Sequence, residues 1–75
     1  MIAFKEGLSE RLQYSRKAAG LTQKDLERAS GVPQNTISRI ELGRNDETST
    51  GTLKKLALAL NVSTDYLLGL KDDPE

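Results

Sequence analysis

The stretch that decides the fold spans residues 23–42 and reads QKDLERASGVPQNTISRIEL. Thr22, just before it, is a good helix cap, and Gly31 marks a tight turn because only glycine adopts left-handed dihedral angles freely. Pro33 then begins another helix at the position where a missing N–H group costs nothing. We therefore predict two short helices joined by a glycine turn, the second of them ending near Leu42.

On a helical wheel, the second of these helices has two unlike faces. One face is apolar and carries Ile37 and Ile40. The opposite face combines amides, a hydroxyl and a guanidinium group with one apolar residue: Gln34, Asn35, Ser38, Arg39 and Leu42. Amide side chains can read adenine bidentately and arginine can read guanine in the same way. This face therefore suits the major groove of double-stranded DNA.

Outside this stretch the apolar residues recur at helical spacing, so we predict an all-α domain of five short helices over residues 1–70. The two helices described above are the second and third. The first is predicted from about Phe4 to Ala19, the fourth from about Gly51 to Leu60, and a short fifth helix ends near Leu68. Residues 71–75 are predicted to form an acidic, disordered tail.

The charge of the chain is zero overall but uneven along its length. Among 75 residues, 11 are basic and 11 are acidic. Residues 1–45 hold eight basic and five acidic side chains, a net charge of +3, which leaves −3 for residues 46–75. A DNA-binding face depends on the local field more than on the total, so this pattern is compatible with a basic face in the first part of the chain.

The composition also bears on other classes of function. The chain has no cysteine and no histidine, which excludes disulfides and leaves a classical metal cage without its usual ligands. No set of residues then suggests a site for nucleophilic or general-base catalysis, so we expect no enzyme activity, no cofactor and no small-molecule substrate. Residues 1–7 show no signal peptide and no apolar run is long enough to span a bilayer, so we expect a cytoplasmic protein without a membrane partner.

The sequence resembles the phage-repressor/Cro (XRE-type) helix-turn-helix family from about residue 8 to residue 69. The segments that carry the resemblance are Leu21–Gln23, Gly31–Val32, Thr36–Glu41, Leu60–Ser63 and Asp65–Leu68. The resemblance implies a five-helix, repressor-like domain with the helix-turn-helix at helices 2 and 3. It also implies a homodimeric transcriptional regulator that acts as a repressor. Such a protein reads a palindromic operator in a bacterial or phage-infected cell.

The resemblance also assigns roles to individual side chains. Four side chains of the third helix would read bases: Gln34, Asn35, Ser38 and Arg39. Residues at the start of the second helix, after the third and at the start of the fourth would contact DNA phosphates: Thr22, Gln23, Arg44, Asn45 and Thr50.

Two further sets concern the protein itself. Arg16 and Glu41 match an ion pair that ties helix 1 to helix 3 in relatives, so we assign both to structure. Leu58 points away from the core on the fourth helix, and it lies with Tyr66 and Leu70 in the region where relatives pair two subunits. We predict that these three apolar side chains form a two-fold dimer interface.

Other functions remain open for this fold. It also serves antitoxins, whose main partner is a toxin protein, and restriction–modification controller proteins. It forms the N-terminal domain of longer repressors as well.

Overall fold

The computed structural model describes residues 7–44 and 48–74, and the secondary structure in these two ranges is entirely helical. The helices are α1 Leu8–Ala18, α2 Gln23–Ser30, α3 Gln34–Glu41, α4 Thr50–Leu60 and α5 Thr64–Leu67. This confirms the predicted all-α, five-helix domain. The predicted start of the first helix at Phe4 lies outside the described residues. Of the helices in the described ranges, none is both long and apolar enough to cross a membrane.

The helix ends follow from local chemistry. The Thr22 hydroxyl accepts a hydrogen bond from the Asp25 N–H, and an Asp25 carboxylate oxygen accepts one from the Thr22 N–H, both at 3.0 Å. This reciprocal pair satisfies two amides that the first turn of α2 leaves without partners. Gly31 ends α2 with a φ of +80°, and Asn61 ends α4 with a φ of +58°. Gly31 thus adopts the left-handed conformation predicted for it, and Asn61 adopts the same conformation.

The core draws side chains from all five helices and the turn after α2. Its members are Leu12, Leu26, Val32, Ile37, Ile40, Leu56, Ala57, Leu60, Tyr66 and Leu67. Helix α1 packs against α3 and α5, while α2 packs against α3 and α4. Because α1 and α2 both contact α3, the apolar side of α3 is held in the core and its opposite side faces solvent.

The segment after α5 also contacts the body of the domain. We expected residues 71–75 to form a disordered tail. In the structure, the backbone carbonyl of Lys71 and the carboxylate of Asp72 accept hydrogen bonds from Arg11. The backbone carbonyl of Pro74 accepts one from the Ser63 N–H at 2.7 Å.

Candidate nucleic-acid interface

Helix α3 presents a polar face to solvent. Ile37 and Ile40 are buried, with 0% and 2% of their surfaces exposed, and they fix the helix against the core. On the other side the predicted reading residues share one face at helical spacing. Asn35 and Arg39 are exposed there, whereas Gln34 and Ser38 are half-buried.

Leu42 follows the last turn of α3 and is 62% exposed. An apolar group at this end of the face suits contact with the methyl group of thymine.

A buried ion pair joins α3 to α1. Arg16 Nε donates to Glu41 Oε2 at 2.7 Å, and Arg16 Nη2 donates to Glu41 Oε1 at 3.0 Å. Arg16 Nη1 also donates to the backbone carbonyl of Leu21 at 2.8 Å. The hydrogen bond with Glu41 raises the pKa of the Arg16 guanidinium, so the arginine stays charged despite its burial. This geometry gives the pair the structural role that the resemblance implied.

Gln23 connects this ion pair to the polar face of α3. Its Nε2 atom donates to Glu41 Oε1 at 3.1 Å, and its Oε1 atom accepts a hydrogen bond from Gln34 Nε2 at 3.4 Å. A continuous series of polar contacts therefore runs from Arg16 through Glu41 and Gln23 to Gln34. The resemblance implied the pair of Arg16 with Glu41 and gave Gln23 and Gln34 roles in DNA binding, but we missed the connection through Gln23, because no local sequence signal reports a contact between two different helices.

The two glutamines retain hydrogen-bonding capacity in this arrangement. Each amide nitrogen carries two N–H groups, and each of these contacts uses only one of them. The second N–H of Gln23 can donate to a phosphate oxygen. The second N–H and the carbonyl oxygen of Gln34 match the N7 acceptor and N6 donor of adenine.

The other predicted phosphate contacts lie in different parts of the domain. Thr22 is exposed and its hydroxyl caps α2, while Thr50 is exposed as the first residue of α4. Arg44 is exposed just after the turn that ends α3, and its backbone N–H donates to the carbonyl of Arg39 at 2.9 Å. Asn45 lies outside the described residues.

The predicted dimer region needs one correction. Leu58 and Leu70 are both 72% exposed, as expected for a docking surface. Tyr66 is only 9% exposed and its ring lies 4.6 Å beneath the Arg11 guanidinium, so the expectation that it belongs to an exposed patch is wrong. The sequence analysis missed Leu68, which is 44% exposed. The exposure of Leu68 could have been inferred from its neighbour Leu67. Leu67 faces the core, and consecutive residues of a helix are rotated by about 100° from each other.

Comparison with known proteins places the chain in a family. The family model described as helix-turn-helix matches residues 12–67. The chain is 44% identical over 66 residues to the HTH-type transcriptional regulator ImmR of Bacillus subtilis. That match covers 88% of this chain and 50% of ImmR, so the chain spans about half the length of that relative. The chain belongs to the helix-turn-helix family, and its predicted resemblance to XRE-type regulators is confirmed.

Two further similarities agree with this placement. The chain is 36% identical over 64 residues to YopO, an SPbeta prophage-derived, uncharacterized HTH-type transcriptional regulator of Bacillus subtilis; the match covers 85% of this chain and 90% of YopO. The structure superimposes on the P22 c2 repressor in complex with a synthetic operator with a TM-score of 0.78 and 33% identity. That superposition covers 85% of this chain and 96% of the repressor chain.

Proposed function

We propose that this chain is a transcriptional repressor that binds double-stranded DNA by placing α3 in the major groove. The observation that carries the proposal is the outward polar face of α3, held in place by the buried Ile37 and Ile40 on its other side. When a two-turn helix fixed in this way lies in the major groove, its amides and guanidinium group can reach the base edges. The relatives support this reading, because ImmR and YopO are named as transcriptional regulators and the P22 c2 repressor was solved on operator DNA.

The side chains of this face divide into two roles. Arg39 reads a guanine through its O6 and N7 atoms, and Gln34 reads an adenine. Asn35 and Ser38 contact neighbouring base edges on the same face. Gln23 binds a phosphate from the start of α2. Its hydrogen bond with Gln34 fixes the position of the Gln34 amide relative to that phosphate.

A second set of residues contacts the DNA backbone around α3. Thr22 lies at the start of α2, Arg44 follows α3, and Thr50 begins α4. We assign Asn45, in the segment between them, to the same role. Phosphate contacts fix the orientation of the domain on the duplex without selecting a sequence.

Pairing of two copies would match a palindromic operator. The exposed apolar side chains near the end of the domain are Leu58, Leu68 and Leu70. Leu68 borders a surface cavity of about 350 Å³ that is also lined by Lys54 of α4, one helical turn before Leu58. A two-fold contact through this surface would place two copies of α3 in successive major grooves about 34 Å apart.

A selection of bound duplexes from a random DNA pool tests this function. We expect a palindromic consensus with half-sites one helical turn apart. The affinity for that consensus should fall steeply as salt rises, because each phosphate contact releases counterions. A pool without a consensus would overturn sequence-specific reading, and an affinity that does not change with salt would overturn the phosphate contacts.

A further inference from the structure

The chain reverses direction after α5 and returns along it. Gly69 has a φ of +80°, and its N–H donates to the backbone carbonyl of Tyr66 at 3.0 Å. Five residues later, the carbonyl of Pro74 accepts a hydrogen bond from the N–H of Ser63, the residue that caps the start of α5. Residues 69–74 therefore run from the end of α5 back to its beginning, and we call this segment the strap.

Arg11 of α1 binds the strap at its middle. Its Nη1 atom donates to the backbone carbonyls of Lys71 at 2.7 Å and Tyr66 at 3.2 Å. Its Nη2 atom donates to the carboxylate of Asp72 at 3.1 Å, and the guanidinium lies over the Tyr66 ring. The guanidinium thus joins α1, the end of α5 and the strap at one point.

The burial of the partners shows which of these contacts hold the strap. The side chain of Arg11 is 13% exposed, whereas that of Asp72 is fully exposed. An ion pair with an exposed carboxylate is screened by solvent and stabilises little. The bond from Arg11 to the backbone carbonyl of Lys71 is therefore the main attachment of the strap, while the bond to the Tyr66 carbonyl and the contact with the Tyr66 ring hold the guanidinium against α5.

Leu70 lies in the strap immediately before Lys71. Its side chain is 72% exposed although its own N–H donates to the carbonyl of Asp65 at 2.8 Å. The backbone on both sides of Leu70 is thus fixed, one side by α5 and the other by Arg11. An exposed apolar side chain on a fixed backbone loses less conformational freedom on binding than one on a free tail.

We propose that Arg11 is a positioning residue: by holding the strap, it presents Leu70 to a second copy of this chain. This inference rests on the proposed two-fold pairing through Leu58, Leu68 and Leu70. It assigns to α1, which lies outside the helix-turn-helix, a role in the assembly of the DNA-binding dimer.

Amide hydrogen exchange of the 75-residue chain tests whether Arg11 holds the strap. In Arg11→Ala the Ser63 N–H should exchange roughly fivefold to thirtyfold faster, because its acceptor Pro74 is released. The neighbouring Val62 N–H donates to the carbonyl of Ala57 within the body of the domain and should be unchanged. Asp72→Asn is the matched control within the strap and should change Ser63 exchange by less than about twofold. Unchanged Ser63 exchange in Arg11→Ala would overturn the proposal.

Sedimentation equilibrium then tests the link to pairing. Arg11→Ala and Leu70→Ala should each weaken self-association by roughly fivefold to thirtyfold, and the double variant should lose no more than the stronger single one. Additive losses, or normal association of Arg11→Ala, would show that Arg11 does not act through Leu70. Arg11→Gln replaces Arg11→Ala if the latter does not fold by circular dichroism. A wild-type chain that stays monomeric with and without DNA would instead disprove the pairing itself.

Discussion

Glu41 is a buried carboxylate on α3, and its contacts make it the residue on which the orientation of that helix depends. It pairs with Arg16, accepts a further hydrogen bond from Gln23, and its backbone carbonyl accepts one from the Ser9 hydroxyl at 2.6 Å. Removal of one partner from a buried pair leaves an uncompensated charge. We therefore expect Arg16→Met to lower the free energy of unfolding by about 3–5 kcal/mol in urea denaturation.

Two control variants test whether the loss of stability comes from a buried, uncompensated charge or from the loss of an ion pair in general. The double variant Arg16→Met with Glu41→Leu removes both charges and should recover most of the lost stability. Arg28→Ala breaks the exposed pair with Asp25, whose atoms lie 2.6 Å apart, and should cost less than about 1 kcal/mol. Equal losses in Arg16→Met and Arg28→Ala would contradict this account.

Asp25 gives the domain a predictable response to acid. The backbone N–H of Thr22 is the main cause that holds its pKa below the usual value, with smaller contributions from the Thr22 side chain and Arg28. A lowered folded-state pKa means that the stabilisation is complete above the unfolded value of about 3.9 and is lost as the pH falls through the folded value. Asp25→Asn should therefore melt below the wild type at pH 7, and the gap should close in acid. A gap that is constant across pH would show that the charge plays no part.

Arg39 and Gln23 should affect DNA binding in different ways. Arg39→Ala should cost roughly 1–3 kcal/mol on the selected operator and relax the preference at one base pair. Gln23→Ala should weaken binding to all sequences, and, because Gln23 holds Gln34, it should also relax the preference at a second base pair. Titrations of single-base operator variants measure both effects. An Arg39 variant with unchanged preference would remove this residue from the reading set.

At the scale of the helices, substitution of glycine by alanine should have opposite effects on stability at two positions. Gly51 is the second residue of α4, and an added methyl group would meet nothing closer than the Ser49 hydroxyl at 3.9 Å. Gly51→Ala should stabilise the domain by about 0.5–1 kcal/mol. Gly31 also has open space around it, but its φ of +80° is left-handed, so Gly31→Ala should cost about 1–2 kcal/mol.

Thermal unfolding distinguishes the two substitutions. For a domain of this size each kcal/mol corresponds to a shift of about 4–8 °C in the midpoint. The midpoint should rise for Gly51→Ala and fall for Gly31→Ala. A lower midpoint for both variants would show that a methyl group added at Gly51 does not fit the space around it.

For the whole molecule, the exposed leucines predict cooperative binding to the operator. Leu58→Asn changes a side chain that is 72% exposed, so the stability should stay within about 0.5 kcal/mol of the wild type. Affinity for an isolated half-site should be unchanged, while affinity for the complete palindrome should fall. Equal affinity of Leu58→Asn and the wild type for the palindrome would contradict pairing through this surface.

The sequence by itself determined the helices and their ends. The capping pair of Thr22 and Asp25 and the left-handed stops at Gly31 and Asn61 are local signals, and each depends on residues within one turn of the helix. The polar face of α3 could be predicted for the same reason, because helical spacing fixes which side chains lie together. Family resemblance supplied the ion pair of Arg16 with Glu41, which no local pattern reports.

Only the tertiary structure decided how these faces are connected. Gln23 meets Glu41 and Gln34 because α2 packs against α3, and Arg11 meets the strap because α1 packs on α5. Such contacts join residues far apart along the chain, so their formation depends on how the helices pack and not on propensity. Tyr66 shows the same limit: we predicted it in the dimer interface because it lies in the region where relatives pair, and the packing of α5 against α1 buried it in the core.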